Sequence, residues 1–183
     1  MWGEREGFMR FRVLLCGILL LAACAAVSAA TITVTVVQNE EAPDIAIQMS
    51  RTVEDELLGQ YFNAGQIVSN TDVMMSSSRF SEKNFGIKEA AFGMSDYLLV
   101  VYLQYGPGER VDEEKKTSWA DLKTITWRIV AVPTSRILEE RSIEYSVFPV
   151  DDFDPYQQAR KPAGMIVRES LPVIDGDRQG EKR

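Results

Sequence analysis

The run Tyr97-Leu-Leu-Val-Val-Tyr-Leu-Gln-Tyr105 constrains this chain more than any other stretch. It is rich in β-branched and aromatic residues, and its apolar side chains follow one another without alternation. Successive side chains of a strand point to opposite sides of a sheet, so an unbroken apolar run predicts a strand covered on both faces. A segment with helical spacing leads into the run, and Gly106-Pro107-Gly108 follows it. The reading is a buried central strand that ends at a turn, for which the rest of the chain must supply two covering layers.

The flanking segments fit that demand. Thr31-Ile-Thr-Val-Thr-Val-Val37 alternates polar and apolar residues and predicts a half-buried strand. Asp44 is placed to cap a helix running to about Asn63, with Met49, Val53, Leu57 and Tyr61 at i+4 steps and Leu58 and Phe62 alongside. Gly65 is placed to end it. The acidic run Glu54-Asp55-Glu56 reads as a solvated helix face or, alternatively, a binding patch. Residues 66–70 form a short second strand, and 71–78 a loop or exposed segment. Ser81 or Asn84 opens a second helix whose apolar face is Ile87, Ala90, Ala91 and Met94.

Beyond the central strand, residues 109–116 form a charged hairpin connection. In 122–132, Ile125, Trp127 and Ile129 alternate with Thr124, Thr126 and Arg128, as on a strand. After a turn at 133–136, residues 137–145 return with Ile137, Ile143 and Tyr145 in phase with Glu139 and Arg141. That mixture of charges suits an edge strand. Asp151-Asp-Phe-Asp154-Pro155 caps a last helix to about Leu171, interrupted at Pro162, and 175–183 is a charged tail. The predicted fold is α/β (α+β), a single mixed sheet with helices packed on it, in the order βαβαβββα.

The first 29 residues are of another kind. Arg5, Arg10 and Arg12 precede the apolar core 13–23, the pattern of an export signal. Two exits from that core compete. Leu21-Ala22-Ala23-Cys24 has the form of a bacterial lipobox, in which cleavage precedes a cysteine that becomes acylated. Val27-Ser28-Ala29 fits ordinary cleavage, and an uncleaved anchor is a third outcome. The expected division is therefore a signal at 1–29, one α/β domain at 30–174 and the tail, with the product in the periplasm or cell envelope.

Composition closes off several chemistries. Of 20 basic and 27 acidic residues, three and two lie in the signal, which leaves the remainder at −8. A nucleic-acid partner needs a basic face, so that charge argues against one. The chain has no histidine, and its two cysteines, Cys16 and Cys24, both fall within the signal. Imidazole bases, Ser-His-Asp triads and thiolate metal sites are thereby excluded from the domain. No P-loop, GxSxG or GxGxxG is present, and no cofactor is expected.

The order of elements resembles the domain shared by the curli-secretion lipoprotein, the lipoprotein activators of penicillin-binding proteins and the amino-terminal domain of the Tol-Pal translocation protein. The resemblance rests on Val53-Glu-Asp-Glu-Leu-Leu58 leading to Gly65-Gln-Ile-Val-Ser69, and on Ser95-Asp-Tyr-Leu-Leu-Val-Val101. It extends to Trp127-Arg-Ile-Val-Ala-Val-Pro-Thr-Ser-Arg-Ile-Leu138, which departs from the family pattern by Ala131 in place of Asp and Ser135 in place of Gly. It implies an exported, often lipid-anchored interaction domain, and it carries over no functional residue.

Two functions of different class are compatible with these residues. One is a non-catalytic envelope module that binds another envelope protein, touching membrane only through a lipid on Cys24. Its candidate contacts are the connection 109–116 and the edge-strand residues Glu139, Arg141 and Glu144. The other is a carboxylate-dependent hydrolase of envelope glycans, drawing on Glu139, Glu140 and Glu144 for a carboxylate pair and on Trp119 and Trp127 for sugar stacking. Asp151, Asp152 and Asp154 could hold Ca2+ but lack the glycine and bidentate glutamate of an EF-hand loop, and helix capping explains them more simply.

Overall fold

The computed structural model describes residues 29–114, 116–145 and 154–181. The strands are β1 (Thr31–Gln38), β2 (Ile67–Asn70), β3 (Met74–Met75), β4 (Tyr97–Asp112), β5 (Thr117–Ala131) and β6 (Arg136–Glu144). They form one mixed sheet in the order β2-β1-β4-β5-β6, with β3 also paired to β1. β1 runs parallel to β2, β3 and β4, whereas β4, β5 and β6 are antiparallel. The helices are α1 (Ala46–Asn63), α2 (Ser77–Ser81), α3 (Ile87–Phe92) and α4 (Pro155–Glu181).

The central strand is β4, and it is covered on both sides. Leu99, Val101 and Leu103 face a large core with Met49, Val53, Leu57 and Tyr61 of α1 and Ala163, Ile166 and Ile174 of α4. Leu98 and Val100 face a smaller core closed by Phe85 and Ala90. The alternation read in β5 holds: Ile125, Trp127 and Ile129 are fully buried in the large core. Trp119 is buried there too, so both tryptophans are core residues rather than sugar platforms.

Several local expectations are corrected. Gly106-Pro107-Gly108 is a bulge, because β4 resumes opposite β5 at Glu109↔Ala120 and continues to Asp112↔Thr117. Asp44 does not cap α1, which starts from Ile45 without a side-chain cap, its first amides taken by the Pro43 and Asp44 carbonyls. Phe62 points to solvent. The acidic run is not uniformly solvated, since Glu54 is only 6% exposed. The second helix is two short ones, and Ala91 and Met94 face outward. In β6 a register shift between Ile129 and Val130 skips Leu138 and breaks the expected phase. Ile137 therefore packs on the small core while Leu138 and Tyr145 pack on the large one. Finally, α4 runs on through Pro162 and Pro172, and residues 175–181, expected as tail, are its last turns.

Two helices deliver the chain to the same end of the sheet through the same device. At the end of α1, Gln66 N–H reaches the Tyr61 carbonyl and Gly65 N–H the Phe62 carbonyl, with Gly65 at φ 81°. This is a Schellman closure with glycine in its left-handed position. At the end of α3, Ser95 N–H reaches Ala90 and Met94 N–H reaches Ala91. Here the left-handed position is held by Met94, at φ 54°. Ser135, where the resembled family has glycine, is likewise left-handed at φ 55°.

Candidate interaction surface

The two edges of the sheet differ. On one side the edge is broken into β2 and β3, of four and two residues. On the other lies β6, nine residues long, and among the described residues no strand pairs with its outer side. A long edge with unpaired backbone groups can accept an incoming strand.

The three residues expected to make contact there do not share a face. Glu139 and Arg141 lie opposite Ile129 and Trp127, on the side that α4 covers. Arg141 is ion-paired to Glu139 and, at 3.1 Å, to Glu169 of α4, and its guanidinium stands 6.0 Å from the Trp127 ring centre. Glu139 and then Glu169 hold that guanidinium above its ordinary range. The pair thus ties β6 to α4. Glu144 lies opposite Thr124, on the other side of the sheet, and is exposed. It shares that side with Glu140 and with the hydroxyl pair Thr126 and Ser142, 2.9 Å apart. The carboxylates of the hydrolase reading are divided in the same way, Glu139 on one side and Glu140 and Glu144 on the other.

The connection 109–116 is the outer part of a β-arm. Trp119 and Ala120 are buried in the large core, with the Ala120 N–H directed at the Met49 sulfur of α1, whereas Glu109, Arg110 and Val111, across from residues 118–120, are exposed. At the base of the arm, opposite the bulge, Asp121 takes Lys123 at 2.6 Å and Arg110 at 2.7 Å. Burial pushes the Asp121 carboxyl up, but Lys123 and Arg110 outweigh it and hold the group below the usual carboxylate range.

One organising residue escaped the sequence reading. Arg128 sits in the polar phase of β5 yet is buried, and its guanidinium donates at 2.7 Å to the carbonyls of Phe80 and Glu82. It also lies 4.7 Å from the Phe80 ring centre, and that ring stacks on Tyr102. Arg128 therefore clamps α2 onto the sheet, and a cationic residue amid threonines carries no local signal of such burial. Beside this clamp opens a cleft of about 640 Å³, lined by Thr35, Thr71, Asp72, Met75, Arg79 and Glu89 among others. Among the described residues no group of three or more acidic, cysteine or histidine side chains is arranged to hold a metal ion. Asp151 and Asp152 lie outside the described residues, as does Cys24. Asp154 accepts from the Gln157 backbone N–H, as the cap of α4.

A family model described as "Uncharacterised protein" matches residues 31–174. Comparison with curated proteins gives no match. Similar solved structures include the PelC dodecamer from Paraburkholderia phytofirmans, 14% identical, covering 78% of this chain and 88% of that one at a TM-score of 0.45. Lipoprotein GNA1162 from Neisseria meningitidis is 15% identical over 80% and 99% at 0.42. The LpoB C-terminal domain from Salmonella enterica is 11% identical over 69% and 90% at 0.38.

Proposed function

The chain belongs to the family whose model, described as "Uncharacterised protein", spans residues 31–174, and from that premise we propose that it is an exported, non-catalytic module of the cell envelope that binds another envelope protein. The observation that carries the proposal is the nine-residue β6 edge, the one long edge of the sheet that no described strand pairs. Export rests on the basic start and apolar core of residues 1–29, and attachment to a membrane on the lipobox at Cys24. No helix among the described residues is long and apolar enough to cross a membrane.

The test is crosslinked capture from intact envelopes. Glu144→Lys changes the exposed charge beside the edge without touching the Arg141 pairs or the Glu140–Arg128 pair. Loss of the captured partner supports an edge-mediated contact, and unchanged capture moves the interface elsewhere. Full-length protein found only in the cytoplasm refutes export, while a Cys24→Ser chain that is still membrane-bound and normally processed refutes the lipid anchor.

The hydrolase alternative has one observation behind it, since Asp72 and Glu89 line the same cleft. Both are exposed, unlike a general acid kept protonated by an apolar pocket. Hydrolysis of purified peptidoglycan that disappears in Asp72→Asn would overturn the non-catalytic reading.

A further inference from the structure

Six large apolar side chains are exposed among the described residues, and four of them belong to one end of the sheet. Phe62 is 70% exposed in the last turn of α1, and Ile67, 58% exposed, opens β2. Phe92 and Met94, 92% and 84% exposed, close α3. Backbone pairing brings these segments together around the start of β1: Ile67 N–H donates to Ala30, and Asp96 N–H donates to Thr31. The two charged groups on the strand ends there are already engaged, Asp96 by the Thr31 backbone and hydroxyl and Arg136 by Asp177. Met94 holds a left-handed backbone that glycine would adopt without strain, yet the position carries a long apolar side chain turned to solvent.

This is also the end at which the chain enters from its apolar N-terminal segment. Cys24 precedes Ala29 by five residues, so a fully extended connection reaches at most about 18 Å. A chain acylated at Cys24 therefore has its β1 end held against the bilayer, and the charged arm at the far end of β4 directed away. We propose that Phe62, Ile67, Phe92 and Met94 form a membrane-contacting face, seated in the interfacial layer of the bilayer to which the chain is tethered. The inference rests on the anchored form of the proposed function and adds to it a fixed orientation. Side chains of this type, Phe above all, lie at the boundary between headgroups and acyl chains.

Photocrosslinking tests it in the full-length chain in its native membrane, with benzoylphenylalanine placed in turn at positions 92, 94 and 111. Val111, exposed on the arm, is the control. Lipid adducts at 92 and 94, several-fold more abundant than at 111, are the expected result. A membrane-bound chain that gives adducts only to protein, a second copy included, or gives none, overturns the contacting face and leaves the anchor standing. A chain absent from the membrane fraction overturns both. A Phe92→Glu, Met94→Glu double variant separates orientation from attachment, because both positions are exposed and the fold does not depend on them. It should remain membrane-bound yet lose most lipid adducts from a probe at Ile67, and undiminished adducts there would count against the proposal.

Discussion

Val100 and Val101 are neighbours in β4, both fully buried, and aspartate at each should produce opposite dependence on pH. Val101 lies between Val36 and Trp127 in the large core. A carboxyl there has no cation to meet. With its pKa raised from about 3.9 to 7 or above, the linkage cost at pH 7 is about 4 kcal/mol. Lost valine burial adds about 2 kcal/mol. The total, about 6 kcal/mol, rivals the whole stability of a typical domain. Such a carboxyl is neutral in the fold, so its stability is fully present below the unfolded pKa and is lost as pH rises. Acidifying from pH 7 to 5 should thus restore about 3 kcal/mol.

Val100 lies between Thr35 and Arg128, and the Arg128 Nε is a buried nitrogen without a hydrogen-bond partner. A carboxylate at 100 meets that cation, so its pKa is depressed and its stability is lost only as pH falls. Val100→Asp should cost about 2 kcal/mol, chiefly lost burial, with a flat profile from pH 7 to 5 and a decline below about pH 4. Urea denaturation followed by tryptophan fluorescence at each pH reads both profiles. Equal costs with the same sign of pH dependence would refute the role given to Arg128, and a harmless Val100→Asp would show that the α2–α3 side of the sheet is open.

Three further outcomes are expected. Burial raises the Glu54 carboxyl above its ordinary range; a raised acid loses stability as pH climbs through its folded pKa, so Glu54→Gln should raise Tm at pH 7 and leave it unchanged at pH 4. Arg128→Met strands the Phe80 and Glu82 carbonyls and should cost about 2–4 kcal/mol, with hydrogen exchange accelerated first in residues 77–82. Met94→Gly removes the left-handed strain and should stabilise the domain by about 0.5–1 kcal/mol, measured by urea midpoint, while abolishing the lipid contact at that position.

The features legible in the sequence are those whose cause is local or compositional. The unbroken run at 97–105 could be satisfied only by cover on two faces, and the alternation of Ile125, Trp127 and Ile129 only by a sheet with one side in the large core. Gly65 announced its left-handed helix end, and the missing histidines remove whole classes of chemistry by composition alone. What the tertiary structure decided is wherever distant partners outweigh local preference. Gly106-Pro107-Gly108 favours a turn locally, but pairing with residues 117–120 lets β4 continue around it as a bulge. Pro162 and Pro172 should break a helix, yet α4 runs through both because Ala163, Ile166 and Ile174 are buried in the large core and Ser170 is bonded to Tyr61 of α1. Glu54 and Arg128 sit in stretches that read as solvated, and each is buried by an element far away in the chain. The register shift at Leu138 puts Ile137 on the face opposite to Glu139 and Arg141. Turn and helix preferences amount to about 1–3 kcal/mol per residue, whereas two-sided burial acts on many side chains at once, and where the two conflict the packed sheet prevails.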